Sequence, residues 1–274
     1  DPSLGERGKI MNANMGWRYG LDDIRGYESI IPKQYVEYMQ GIAPQVQLDF
    51  NRVSPLYPDQ LANVDWARLA LLNVRYVMTS KATDLSDLPI SVHIGPSSPF
   101  EFDGADLVYE DEAVRIWQLP LWMPRAYLVS SENDLDADQL PIVVRGAAIT
   151  DDRGREKLID LSQDEQTTGW LVGSETYMSG WRAFIRPKRG TEKDEKTLEL
   201  QLVSQNFIGG YLTVPEPGDW TVRLTYSPAS FQLGLFGSFI SAILLLIVAT
   251  VSVIDFSCEA IRARLIGPDM LKVS

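Results

Sequence analysis

The chain has 274 residues, of which 45% are hydrophobic and 10% aromatic, and it carries a formal net charge of −12. This composition excludes a disordered chain and suffices for one large domain or two ordinary ones, while the acidic excess argues against nucleic acid as a partner. A single cysteine, Cys258, and a single histidine, His93, exclude an intramolecular disulfide and a multi-Cys zinc site, and argue against a Ser-His-Asp arrangement.

The first 120 residues read as a mixed α/β lobe. The chain starts at Asp1 with no signal-peptide pattern, so a trimmed chain or the downstream part of a longer protein is expected. In "IPKQYVEYMQGI", Pro32 suits the first turn of a helix and Gly41 its C-terminal cap. In "PDQLANVDWARLALLNVRYVMTS", Leu61, Val64, Ala67 and Leu71 recur at helical spacing before a strand over 74–79. His93 alternates with Val92 and Ile94 and reads as a partly exposed strand residue.

From about Leu121 to Pro228 the pattern changes to short strands between turn signals: "RAYLVS", "IVVRGAAI", "KLIDL", "GWLVGS", "WRAFIR", "LELQLV" and "DWTVRLTY". The last alternates Trp220, Val222, Leu224 and Tyr226 on one face with Thr221, Arg223 and Thr225 on the other. Strands so spaced predict an antiparallel β-sandwich, and an α+β fold for the chain as a whole. The charged run 186–197 reads as a solvated hairpin loop.

Residues 224–254 contain no charge, and within them 233–254 are almost wholly apolar. A helix of that length covers about 33 Å, enough to cross a hydrocarbon core. A transmembrane helix over 229–256 is therefore predicted, with a tail over 257–274. Gly234, Gly237, Ser238, Ser241 and Ala242 suit close packing on another helix, or simply reflect tolerance of small residues in lipid. Beyond Phe231, Arg262, Arg264 and Lys272 balance Asp255, Glu259 and Asp269, so the net charge belongs to the first 230 residues. Arg262 and Arg264 after the span place the tail in the cytoplasm and the body outside. Cys258 reads as an unmodified thiol rather than a lipidation site.

No glycine-rich phosphate loop, nucleophile elbow, zinc-binding helix or dinucleotide fingerprint occurs. Asp134, Asp136 and Asp138 start like a calcium loop, but Gln139 and Arg145 stand where it needs Gly and Glu, so a solvated acidic turn is the better reading. No catalytic residue, metal or cofactor is implied. Trp17, Tyr19, Tyr27, Trp117, Trp122, Trp170, Tyr177 and Trp181 are a surplus of aromatics, fit to fill sheet faces or to stack on sugars beside arginine.

The blocks "NANMGWRYGLDDIRGYESIIPKQYVEYM", "LLNVRYVMTS", "VRIWQLPLWMPRAYLVS", "SETYMSGWRAFI" and "VPEPGDWTVRLTYSPASFQLGL" resemble, in that order, the YfhO family of bacterial membrane proteins. The resemblance runs from Asn12 to about Gly234. Its motif positions are Tyr19, Gly26, Tyr27, Arg75, Tyr76, Pro124, Arg125, Tyr177, Gly180, Trp181, Arg182, Tyr226 and Pro228. It implies the C-terminal extracytoplasmic part and one late helix of a polytopic GT-C-like glycosyltransferase in a bacterial plasma membrane. Such an enzyme takes sugar from a polyprenyl-phosphate carrier and places it on a wall polymer. Implied partners are membrane lipid and the protein's own upstream transmembrane helices. The catalytic carboxylate would lie in an early loop outside this chain. One departure is that Arg186-Pro187 and the charged run stand where the family has a tight Asp-Gly hairpin. Within "SETYMSGWRAF", Gly180 is expected to allow a bend or bulge, Trp181 to anchor the sandwich core and Arg182 to face outward. A sheet corner needed for folding is preferred there over a glycan contact.

Overall fold

The computed structural model describes residues 16–27, 31–44, 52–53, 58–136, 138–152, 154–163 and 167–265. The chain forms two compact units, Asp1–Tyr226 and Ser227–Ser274. Tyr19 closes a 3-10 turn, Gly16–Tyr19, and the family-like Gly26 and Tyr27 form a short strand, β1 (Gly26–Tyr27). Helix α1 (Lys33–Ile42) follows, then β2 (Arg52–Val53), which pairs with β1. A 3-10 segment, Pro58–Asn63, leads into α2 (Trp66–Leu71).

Asp65 divides the expected long helix in two: its side chain accepts the Arg68 amide at 3.0 Å and so starts α2 afresh. All six residues of α2 are buried. Gly41 does not cap α1, which continues to Ile42 and ends at Ala43. Gly41 instead makes room for Arg68, because a Cβ there would sit 2.6 Å from the Arg68 Nη1.

Six short strands complete the part before Ser130: β3 (Tyr76–Ser80), β4 (Ile90–Val92), β5 (Phe100–Phe102), β6 (Asp106–Glu110), β7 (Val114–Gln118) and β8 (Ala126–Val129) belong to three different sheets, while β9 (Val143–Asp152) opens the hairpin series that follows. Strands β3, β7 and β6 form a three-stranded sheet in that order, and β4 pairs with β5. His93 lies exposed just beyond β4, between buried Val92 and half-buried Ile94.

The remaining strands are β10 (Glu156–Gln163), β11 (Thr167–Thr176), β12 (Trp181–Pro187), β13 (Lys196–Leu198), β14 (Gln201–Val203), β15 (Phe207–Val214) and β16 (Gly218–Tyr226). With β8 and β9 they form one nine-stranded antiparallel sheet, ordered β13-β12-β16-β10-β9-β8-β11-β15-β14. The expected single strand "LELQLV" is split: β13 pairs with β12 at one end of this order, and β14 with β15 at the other. Only Glu199 and Leu200 separate them, so the sheet must curl until its two edges nearly meet. The long β9 makes that possible by pairing with β8 through its first half and with β10 through its second.

Inward side chains of both halves share a core that includes Leu128, Leu171 and Leu212 from one side and Ile159, Ile185 and Val222 from the other. The expected sandwich packing is therefore present, made by one curled sheet. On the opposite face of β8, β11 and β15, Tyr127, Val129, Val172 and Phe207 pack with Tyr38, Leu69 and Leu71 of the helices. Strand β8 and the first half of β15, Phe207–Gly210, are buried on both faces, which explains why "AYLV" and "FIGG" lack alternation, whereas in "YLTV" Tyr211 and Thr213 are exposed and Leu212 and Val214 buried. The unalternating first half hid β15 from a reading by pattern.

The second unit contains helix α3 (Ala229–Leu265), which continues past the expected end at 256. Its apolar side chains are exposed along its length, and it is long and apolar enough to cross a membrane. At about 55 Å it exceeds a hydrocarbon core of about 30 Å. Ser241 donates its hydroxyl to the Gly237 carbonyl at 2.9 Å, keeping that polar group satisfied within the helix.

Candidate functional site

Strand β16 ends between the starts of its two neighbours, β12 and β10. The register of β12 on β16 sets Trp181 opposite Tyr226 and Arg182 opposite Thr225. The Trp181 and Tyr226 rings lie 5.2 Å apart at a tilt of 52°. Trp181 donates Nε1–H to the Thr176 carbonyl at 3.2 Å, and the Tyr226 hydroxyl lies 3.6 Å from the Met178 sulfur. The turn Tyr177–Gly180 is closed by the Trp181 amide donating to the Met178 carbonyl at 3.0 Å, with Gly180 buried. Tyr177 is tied down twice: its amide donates to the Asn206 carbonyl at 2.7 Å, and its carbonyl accepts the Gln34 side-chain amide of α1. Trp181 packs against the sandwich core from its rim, half-buried, while Arg182 is exposed. The glycine bends the chain and the two following side chains diverge, as alternation requires.

Beside this aromatic pair sits an ion cluster. Lys157 alternates with Ile159 and Leu161 on the buried face of β10, and its side chain is 5% exposed. Its ammonium pairs with Glu175 at 3.1 Å, and Arg125 pairs with the same carboxylate at 2.9 Å. Arg125 also reaches Asp22 at 3.2 Å. The sequence reading singled out Arg125 but missed Lys157 and Glu175. The signal was available in "KLIDL", where the phase that buries Ile159 and Leu161 also buries the lysine.

The other motif residues lie elsewhere. Arg75 places its guanidinium 4.6 Å above the Trp122 ring and 5.1 Å above the half-exposed Tyr76 ring. Tyr19 and Pro124 are exposed. Pro228 offers its carbonyl to the Phe231 amide at 3.1 Å in the first turn of the helical unit.

No family model, curated protein or solved structure matches the chain.

Clefts open among the described residues of the body. One, of about 580 Å³, is lined by Asp84, Asp103, Asp106, Arg115 and Trp117 among others; the second, of about 400 Å³, by Asp65, Trp66, Ser91, His93 and Asp138. In the first, Arg115 pairs with Asp84 at 3.1 Å and approaches Glu110 at 3.6 Å. In the second, Arg68 holds Asp65 and Asp138 at 3.2 and 2.5 Å, so the Asp138 carboxylate serves an ion pair. Burial pushes the Asp65 carboxyl above its usual range, against the hydrogen bonds from Arg68. Burial likewise raises the phenols of Tyr35, Tyr38 and Tyr127, which keeps them neutral, and those of Tyr35 and Tyr38 donate to the Ile24 and Arg68 carbonyls. Among the described residues, no group of three or more His, Cys, Asp or Glu side chains is placed to share a metal ion.

The hairpin from β12 to β13 folds back on the sheet. Glu195, with a side chain 6% exposed, takes a two-pronged hydrogen bond from Arg223 at 2.9 and 2.6 Å and an ion pair from Arg186 at 3.5 Å. The Arg223 hydrogen bonds hold the Glu195 carboxyl below its ordinary value. Lys188 adds a contact to Asp160 at 2.8 Å. Thr191 and Asp194 cap the Glu192–Asp194 turn reciprocally. The run expected to be a solvated loop is exposed at its tip and anchored by ion pairs at its base.

Proposed function

We propose that the chain is the extracytoplasmic accessory domain and one membrane span of a polytopic GT-C-like glycosyltransferase. The donor would be a polyprenyl-phosphate sugar and the acceptor a cell-surface polymer. The helix serves as the span, the body lies outside a bacterial plasma membrane, and the C-terminus is cytoplasmic. One observation carries this reading beyond the resemblance of the blocks. Tyr177, Gly180 and Trp181 from one block and Tyr226 from another, distant in sequence, meet in one packed unit where the body ends. Residues shared with a family as a working unit are expected to cluster in this way.

In this reading the body supplies no reacting group. It shapes the acceptor's path, while the carboxylate that activates the acceptor belongs to membrane-loop sequence outside this chain. The test is sugar transfer from a polyprenyl-phosphate donor, assayed with the full-length protein and with this chain alone. Turnover by the full-length protein and none by the chain is expected. Activity in the chain alone, or a folded full-length protein inert toward a panel of such donors, would overturn the reading.

A second reading is favoured by the Arg75, Tyr76 and Trp122 cluster, whose exposed ring edge and guanidinium could stack on a sugar. The chain would then be a membrane-anchored glycan-binding or scaffold module. Binding of purified wall polymer to the wild-type chain, lost in Tyr76→Ala, would favour it.

A further inference from the structure

We infer that the outer edge of β6, with the acidic cleft at its start, is a docking site for an extended segment of a partner protein in which Lys or Arg flanks a short apolar stretch. The inference depends on neither the membrane span nor the transfer reaction. Strand β6 ends the order β3-β7-β6, and among the described residues no strand pairs with its far side. An edge of this kind presents unpaired amides and carbonyls, a template for one more strand. It also presents Leu107, Val108 and Tyr109, which are 46%, 50% and 50% exposed. Three consecutive apolar side chains left in water on an edge are a fault in a strand unless something covers them.

The register shows how both faces of this edge come to be apolar. Leu107 stands opposite Trp117, but the irregularity between Leu107 and Tyr109 sets Tyr109 opposite Ile116. Leu107 thus shares the face of Trp117, and Tyr109 takes the other. An added strand finds an apolar neighbour on either face.

Charge selects the occupant. Between Lys81 and Gln118 there are eight carboxylates against two basic side chains, a net −6 that is half the formal charge of the chain. Both basic side chains are engaged: Lys81 pairs with Glu110 at 3.1 Å, and Arg115 with Asp84 at 3.1 Å. Asp103 and Asp106 make no ion pair among the described residues, and both line the cleft of about 580 Å³ that Leu107 borders. Their backbone is held in place. The Ala105 amide donates to the Leu85 carbonyl at 2.9 Å, and Gly104, at a φ of 105°, lies where a Cβ would collide with the Ser86 carbonyl. Phe102, Leu107 and Trp117 complete the lining, so a Lys or Arg side chain can lay its methylenes on apolar surface and set its charge at the two carboxylates. A second copy of the chain is a poor occupant. Antiparallel pairing of β6 with itself about Val108 would set Asp106 opposite Glu110 twice, and like charges directly opposite destabilise a strand pair. Main-chain hydrogen bonds and the apolar residues 107–109 therefore hold the added strand, while the cleft specifies a basic side chain.

The test uses the full chain in neutral detergent micelles with fluorescein-labelled peptides, read by fluorescence anisotropy against empty micelles. The probes are the peptide KVTVTVR, its acidic counterpart EVTVTVE, KVTVTVR with every backbone amide N-methylated, and a peptide copying residues 104–112. KVTVTVR is expected to bind at least about tenfold more tightly than EVTVTVE, to weaken as salt rises, and to lose binding on methylation. In Asp103→Lys/Asp106→Lys, whose fold is checked by near-UV circular dichroism, the preference should invert. No binding of KVTVTVR overturns the docking site. Equal binding of the basic and acidic peptides overturns the selection by charge, and retained binding of the methylated peptide overturns strand addition. An unchanged preference in the double variant places the binding elsewhere and overturns the assignment to this cleft. Tighter binding of the 104–112 copy than of KVTVTVR gives the edge to a second copy and overturns the basic partner.

Discussion

Arg68 is the residue on which the first core turns. Its guanidinium pairs with Asp65 and Asp138, donates to the Gln205 side chain at 3.0 Å, and lies 5.4 Å from the Tyr38 ring centre. It thereby ties α2 to the loop before β9 and to the turn between β14 and β15, where Ser204 and Gln205 adopt positive φ. Arg68 is buried, but the Asp65 and Asp138 side chains that face it are 29% and 67% exposed, so water replaces part of what the guanidinium gives them. Arg68→Met is expected to cost about 1–2 kcal/mol, measured by denaturant unfolding followed by tryptophan fluorescence. Gly41→Ala should cost about 1–3 kcal/mol by overpacking. Much of that cost should vanish in the Arg68→Met background, because the added methyl then meets no guanidinium. Full additivity of the two substitutions would contradict the close approach. At the rim of the second core, Trp181→Ala should destabilise less than Trp117→Ala. Trp117 is 2% exposed, and its loss should cost about 3–5 kcal/mol. Equal effects in the same assay would mean that Trp181 belongs to the interior.

At the scale of elements, the hairpin between β12 and β13 shows how a charged run acquires a fixed place. Polar residues with no apolar period predict only exposure, and the tip bears that out. The base is set by Glu195, which faces two arginines from two different strands, a pairing invisible to local pattern. Because its folded-state carboxyl titrates below the ordinary 4.5, its contribution is present above that value and is lost as pH falls through the depressed one. Hydrogen exchange at the Gly190 and Glu195 amides should therefore accelerate when pH drops well below 4.5, by more than intrinsic exchange chemistry predicts. In Glu195→Gln the same amides should already exchange faster at neutral pH. Unchanged protection in that variant would show that the capped turn holds the hairpin without the arginines. Strands β13 and β14 teach a related lesson. A run such as "LELQLV" reads as one strand, yet it serves both ends of a curled sheet, and the two residues between mark the change of partner.

At the scale of the whole molecule, neither hydrophobic core includes a residue of α3. A chain ending after Pro228 is therefore expected to fold. It should remain soluble, given the −12 charge on the first 230 residues, and keep the near-UV circular dichroism of the body. Aggregation, or loss of the tertiary signal with secondary structure retained, would show that the body depends on the span. The exposed apolar surface of α3 is consistent with membrane anchoring.

Sequence alone determined what rests on local periodicity. Alternation in "DWTVRLTY" gave β16 and its two faces, and turn signals separated β8 through β12. A charge-free apolar run gave the long helix, whereas the break that Asp65 makes in the helix expected over Leu61, Val64, Ala67 and Leu71 appeared only in the structure. The sequence did not single out β15, because burial on both faces erases alternation over Phe207–Gly210 and leaves only the short alternating stretch 211–214. The inward phase of Lys157 was legible in "KLIDL", but the sequence could not indicate that it meets Glu175, or that Trp181, Tyr226 and Arg125 gather at one end. Tertiary structure decided those features. Strand order in a curled antiparallel sheet is fixed by pairings between residues far apart in the chain, and only that order determines which side chains share an end.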